Sequence, residues 1–169
     1  AMPAAPATAA GIAARLRDYA QLTKPRITAL VVLTTYVGFH LGAVGPFGLG
    51  FVAHLLMGTA LACGGSSALN QWWERDRDGL MHRTRNRPLP GARLGADEAL
   101  AFGVAVTIAG LLELAIFVNL LAAIVTAVTL VIYVFAYTPL KTRTWLCTVV
   151  GAVPGALPPV IGWAAARGT

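Results

Sequence analysis

The sequence predicts an all-α fold, a polytopic transmembrane helix bundle of about five spans. Three observations carry that expectation. Hydrophobic residues make up 57% of the 169-residue chain and charged residues only 12%, with a mean hydropathy of +0.69, a profile far from that of a soluble domain. The apolar residues gather in runs of about 20, the length a helix needs to cross a hydrocarbon core of ~30 Å. Lys and Arg, which give a net charge of +6, sit in the short segments between those runs. If the spans alternate, every one of the 13 Lys and Arg residues except Arg167 falls on one side, the pattern of a cytoplasmic face and a cytoplasmic N-terminus. Membrane topology therefore explains the basic pI without nucleic acid, and the partner it requires is a lipid bilayer. Cys63 and Cys147 lie inside apolar runs at no spacing typical of a metal cluster or disulfide framework, and read as small buried hydrophobes.

The elements follow in order. An Ala/Pro-rich lead over residues 1–10 is expected to be disordered. Residues 11–26 read as an amphipathic interfacial segment. In it Arg15, Arg17 and Asp18 lie on one side and Ile12, Leu16 and Tyr19 on the other, which suits the membrane surface. LTKPRI sets Lys24 and Arg26 around Pro25, directly before a first span over 27–44 that opens a transmembrane domain covering 27–169. Those two cations are either an inside flank or anion contacts. The uncharged turn VGPFGLG is expected outside. A second run, 49–69, continues without a breaker into the helix that carries Asn70, and Gly64, Gly65, Ser66 and Ser67 near its inner end would let a neighbour or ligand approach closely. Spans over 97–117 and 120–138 meet at Val118 and Asn119, too tight a link for anything but an antiparallel helical hairpin. Glu113 is expensive at membrane depth, so it is either functional or paired with a neighbouring helix or protonated. YTPLKTR brings Tyr137, Lys141 and Arg143 to the basic side. A last span over 145–166, interrupted by Pro154, Pro158 and Pro159, should line a pocket, because backbone freed by proline needs protein cover. His40 and His54 lie toward the outer ends of the first two spans.

The polar chemistry concentrates in a cytoplasmic motif segment over 70–96, which opens with NQWWERDRDGLMHRTRNRPLP. At about 100° per residue, Asn70, Gln71, Glu74 and Asp78 share one helix face with Arg77 beside them, whereas Trp72 and Asp76 point away. Two carboxylates one turn apart can hold magnesium together with substrate phosphate oxygens. Arg83, Arg85 and Arg87 then alternate before Pro88, each able to fork onto phosphate. A mixed-charge stretch can also be a plain solvated face. Trp72 and Trp73 suit a membrane-interface belt, or stacking on a flat ligand. No Ser-His-Asp or Cys-His arrangement offers a nucleophile.

This string, with LTKPRI before it and YTPLK and GALPPVIGW after it, closely resembles the protohaem IX farnesyltransferase (haem O synthase) family of UbiA-type intramembrane prenyltransferases. The resemblance covers about residues 22–169. The superfamily motif NDxxDxxxD maps onto Asn70, Gln71, Glu74 and Asp78, with Gln71 and Glu74 departing from its aspartates. The tyrosine-lysine element maps onto Tyr137 and Lys141. The resemblance implies the N-terminal half of a nine-helix bundle that transfers farnesyl from farnesyl diphosphate to a vinyl group of haem b, giving haem o for terminal oxidases. It implies Mg2+ on Glu74, Asp78 and Asn70, catalytic roles for Asn70, Glu74, Asp78 and Lys141, and diphosphate contacts from Lys24, Arg26, Arg77, Arg83, Arg87, Tyr137 and Arg143. His82, Trp72 and His40 are the candidates for haem contact. Farnesyl diphosphate, haem b and the bilayer are the implied partners, with haem-A synthase or terminal-oxidase assembly beyond them. A bacterial inner membrane is expected before a mitochondrial one. The family's second acidic motif lies in a later half that this chain lacks, so a C-terminally short piece is expected, with no activity implied for it alone. Rival readings are a UbiA-type enzyme with another aromatic acceptor, an anion transporter, and a non-catalytic haem-binding assembly factor.

Overall fold

The computed structural model describes residues 9–168; the rest of the lead assigned to residues 1–10 lies outside them. All regular structure in the described residues is helical. Helix α1 (Ala9–Leu22) is followed by α2 (Pro25–Gly42), α3 (Leu49–Asp78) and α4 (Ala96–Phe117). Then α5 (Leu120–Val131), a π-helical stretch (Ile132–Tyr137) and the short α6 (Thr138–Leu140) run on as one 21-residue helix, and α7 (Cys147–Arg167) closes the chain. Four of these, α3, α4, Leu120–Leu140 and α7, are long and apolar enough to cross a membrane. The fifth expected span, α2, is not among the four: it has 18 residues, and Arg26 and His40 at its ends dilute its apolar content. Its broad face nonetheless exposes Ile27, Leu30, Leu33, Val37 and Leu41, as a lipid-facing helix does.

Small residues set how closely the helices meet. Along α3 and α4, Gly65 lies on Thr107 and Gly110 on Ala62, so close that a Cβ on Gly65 would be 2.3 Å from Thr107 Oγ1. The two helices run antiparallel. Between α2 and α7 the approach is tighter still, and a Cβ on Gly162 would lie 1.9 Å from the Thr35 carbonyl oxygen. There Gly38 meets Pro159 and Gly42 meets Trp163, so α2 and α7 run in the same direction. In a membrane, where lipid tails compete with side chains on equal terms, such backbone proximity is what drives helix association. At the end away from the basic segments, Phe39, Leu55, Leu114, Ala122 and Ile161 form the buried apolar cluster, with Phe47 and Phe51 packed on it.

Two polar devices hold this far end. Asn119 caps α5 by accepting from the Ala122 amide at 2.8 Å, while its Nδ2 donates to the Ala164 and Ala165 carbonyls of α7 at 3.2 and 3.0 Å. Asn119→Ala removes all three bonds and is expected to cost about 1–3 kcal/mol; Asn119→Asp, which keeps only the cap, should recover part of the thermal stability in detergent. Glu113 is paired across helices: His54 Nδ1 lies 2.7 Å from its Oε1 and the His54 ring stacks on Phe117. Of the two accounts of Glu113, the structure shows the paired one.

At the basic end, residues 79–95 form a succession of tight turns. Helix α1 ties this segment down through an Asp18–Arg93 ion pair at 2.9 Å and through Arg15 and Tyr19, which both bond Glu98 at the start of α4.

Candidate functional site

Helix α3 extends beyond its apolar run, and its last two turns present Asn70, Gln71, Glu74 and Asp78 to the interior. They are only 2, 2, 7 and 2% exposed. Burying two carboxylates requires cations, and the structure supplies one for each. Arg87 Nη1 donates to Asp78 Oδ2 at 2.6 Å, and Lys141 Nζ to Glu74 Oε1 at 3.0 Å. Lys24 Nζ completes the row by donating to Asn70 Oδ1 at 2.7 Å, and Asn70 Nδ2 donates in turn to Thr138 Oγ1 at 3.1 Å. Three chain segments far apart in sequence thus converge on one helix face.

Below this polar mouth lies a cavity of about 430 Å³. Its walls are Ile27 and Val31 of α2, Cys63, Ser66 and Ser67 of α3, Tyr133 and Tyr137 of the π-helical stretch, and the Gly151, Pro154 and Pro158 face of α7. Helix α7 is continuous through its three prolines, and the chain puts the stretch they weaken against the cavity. The π-helical turn precedes Pro139, which has no N–H to give; the Tyr133 carbonyl accepts both the Thr138 amide and, at 2.9 Å, Thr138 Oγ1. The wider turn stacks Tyr133 on Tyr137, with ring centres 5.7 Å apart, and Tyr137 lies over Gly151, where a Cβ would come within 2.7 Å of the ring.

The other expected site residues lie off the acidic face. Arg77 is exposed and donates to Thr142 Oγ1 at 2.6 Å, bracing α3 against the turn after α6. Arg26, His82, Arg83 and Arg143 are exposed and make no side-chain hydrogen bond to the described residues. They stand around the mouth segments, not on the acidic face. Trp72 lies under the Arg75 guanidinium at 5.1 Å, on the opposite side of α3. His40 is exposed near the far end of α2, stacked on Tyr36, about 24 Å along the helix from Lys24, so it is not brought to the site. Thr138, Thr84 and Tyr133 were not legible as site residues. Thr84, buried, donates to the Asp78 carbonyl at 2.9 Å, and only a tertiary contact could reveal that.

The donor set suits a hard cation in part. No group of three His, Cys, Asp or Glu side chains occurs among the described residues. Glu74 and Asp78 each commit one carboxylate oxygen to an ion pair, and the second oxygen of each makes no hydrogen bond to the described residues. Two carboxylates on one buried face fit magnesium if a phosphate and water complete the shell. Asn70, expected as a third ligand, does not offer an unengaged oxygen: its Oδ1 already accepts from Lys24 and keeps one further lone pair. Gln71 does not face the carboxylates either: its Nε2 donates to the Gln21 and Leu22 carbonyls at 3.2 and 3.0 Å.

Fold and site together define an intramembrane helix bundle in which an acidic, cation-paired face of α3 lies about one helical turn from Ser67 of a largely apolar cavity. The family model of the UbiA prenyltransferase family matches residues 31–169, and the chain belongs to that family. Among curated relatives, the protoheme IX farnesyltransferases of Solibacter usitatus (strain Ellin6076), Symbiobacterium thermophilum and Koribacter versatilis are 52, 44 and 41% identical over 90, 90 and 94% of this chain. It aligns to 56, 51 and 52% of their lengths, so the chain spans about half the length of the curated relatives it matches. Two solved structures of a UbiA homolog from Archaeoglobus fulgidus share the fold. One, bound to GPP and Mg2+, has a TM-score of 0.76 at 21% identity over 88% of this chain and 54% of that one. The other, bound to DMAPP and Mg2+, has a TM-score of 0.73 at 22% identity over 88% and 53%.

Proposed function

We propose that this chain forms the diphosphate-binding half of a protohaem IX farnesyltransferase. In this reading Glu74, Asp78, Arg87, Lys141 and Lys24 receive farnesyl diphosphate at the mouth, and the isoprenoid enters the cavity below. The observation that carries it is the juxtaposition of two buried carboxylates, each already paired with a cation, with an apolar cavity of about 430 Å³. The names of the relatives supply the acceptor, haem b.

The chain's own groups suit that chemistry. Lys24, Arg87 and Lys141 converge from three segments where negative charge grows as the C–O bond of the allylic diphosphate breaks, and preoriented cations in a partly dry site stabilise such charge without reorganising. Arg87 and Lys141 are held by Asp78 and Glu74 before substrate arrives, so their entropy cost is met in folding. Magnesium, when bound by Glu74 and Asp78, would neutralise the diphosphate and make it a better leaving group. The apolar walls keep water from the allylic carbon until the vinyl carbon reaches it. The basic end is read as cytoplasmic, since it gathers all Lys and Arg except Arg167. Arg26, Arg83 and Arg143 are read as outer contacts that guide the anion in.

A product assay in membranes tests this reading. Haem b, farnesyl diphosphate and magnesium are supplied to this chain, to a form extended to the length of its relatives, and to the extended form with Asp78→Asn. Haem o, detected by mass, is expected from the extended wild type. Prenylation of a phenolic acceptor, with none of haem b, would overturn it.

Lys24 adds a pH signature. Burial, reinforced by Arg87, lowers its ammonium from the usual 10.5 to about 8. An arriving diphosphate favours the charged form, so binding below pH 8 needs no proton, while above pH 8 a proton must be taken up. Affinity for farnesyl diphosphate, measured in detergent, should therefore fall only about twofold from pH 7 to 8, where half of Lys24 is already neutral, and up to about tenfold per unit above that. Lys24→Met should bind more weakly and lose the step.

A further inference from the structure

Gln71 occupies the second position of the acidic motif, yet it is turned away from the carboxylates. It is 2% exposed, and its Nε2 donates to two successive backbone carbonyls, Gln21 at 3.2 Å and Leu22 at 3.0 Å. Carbonyls only accept, so the bonds require the amide nitrogen and a carboxylate cannot replace it. The gripped residues are the last of α1. Two residues on, Lys24 has φ 49° and ψ 64°, a left-handed conformation that a side chain with a Cβ seldom adopts unless its surroundings impose it. That backbone directs Lys24 Nζ onto Asn70 Oδ1 at 2.7 Å, one residue before Gln71 on the same helix. Arg93 grips the same turn from outside, donating through Nη2 to Gln21 Oε1 at 3.3 Å and through Nε to Asp18 at 2.9 Å.

We infer that Gln71 is a positioning residue, not a metal ligand: it clamps the end of α1 against α3 and thereby holds Lys24 in the diphosphate site. The inference rests on the diphosphate reading above, and deepens it by giving the motif's amide a task that a carboxylate could not perform. A bound metal would then be served by Glu74 and Asp78 alone among the motif's acidic-position residues.

A double-mutant cycle separates the alternatives. Farnesyl diphosphate binding with magnesium and without haem is measured by calorimetry on wild type, Gln71→Met, Lys24→Met and the double variant; Gln71→Glu is added as the charged form. Gln71→Met removes the donors at nearly constant volume, and its melting temperature shows whether it folds. The expected result is about a tenfold loss for Gln71→Met, more for Gln71→Glu, and less than a twofold further loss when either is added to Lys24→Met, because residues acting through one contact are not additive. The magnesium concentration that gives half-maximal binding should stay within twofold of wild type in Gln71→Met. Full additivity of the two losses, or a several-fold rise in the magnesium requirement, would overturn the inference while leaving the diphosphate site standing. Should wild type itself bind no farnesyl diphosphate, the site reading falls and the inference with it. If neither Gln71 variant folds, Arg93→Met supplies the cycle from the other side of the turn, with the same expectation of non-additivity.

Discussion

Replacing Asp78 by Asn in the form extended to full family length is expected to lower haem o formation by 100-fold or more. The side chain is 3% exposed and holds Arg87 Nη1 at 2.6 Å, and its backbone carbonyl is fixed by Thr84. The substitution keeps the shape and removes the charge. Two losses follow: the half-buried Arg87 keeps no anionic partner, and one of the two carboxylates on this buried face disappears. Removing a single preorganised electrostatic contact from an active site costs about 10²–10³ in turnover, and the loss should appear in kcat more than in KM if it acts on the departing diphosphate. Glu74→Gln should behave alike, its partner Lys141 being released. Turnover within threefold of wild type in both variants would remove these carboxylates from the mechanism.

The largest structural effect is expected from Gly162→Val. A Cβ at this position would sit 1.9 Å from the Thr35 carbonyl and 2.5 Å from the Phe39 amide nitrogen, and both are backbone atoms that cannot rotate away. Helices α2 and α7 would have to separate along their whole contact, which carries one wall of the cavity. Overpacking of this kind costs about 3 kcal/mol or more, and farnesyl diphosphate binding should be lost together with the folded state in detergent. Gly38→Ala, facing the Pro159 carbonyl at 2.0 Å, should act in the same way. Gly155→Ala is the control: nothing lies within 4 Å of its Cβ position, so its melting temperature should match wild type. Equal behaviour of Gly155 and Gly162 variants would mean that α2 and α7 are not in this close contact.

Much of the fold was legible because a membrane span is a local property. Run length, the missing breaker between residues 69 and 70, and the two-residue link at Val118 and Asn119 all specify helices and hairpins without reference to distant residues. The helix face of Asn70, Gln71, Glu74 and Asp78 was legible for the same reason, since 3.6 residues per turn decides which side chains point together. The fate of each member of that face was not. Gln71 has the shape of a ligand in the string of letters, yet its amide serves two carbonyls of α1; Asn70 has an oxygen for a metal, yet Lys24 reaches it from 46 residues away. Similarly, Glu113 read equally well as functional or paired until α3 brought His54 beside it.

The sequence by itself determined a basic-mouthed bundle of apolar helices with an acidic face at the end of α3, because hydrophobic length, charge placement and helical period act over a few turns of chain. Only the tertiary structure decided that Arg87 answers Asp78, that Lys141 answers Glu74, that Gln71 works on backbone, and that glycine faces of α2 and α7 close one wall of the cavity. Those outcomes depend on which buried donor finds which acceptor once helices remote in sequence pack together, and the cost of leaving a buried polar group unpaired makes the pairing specific.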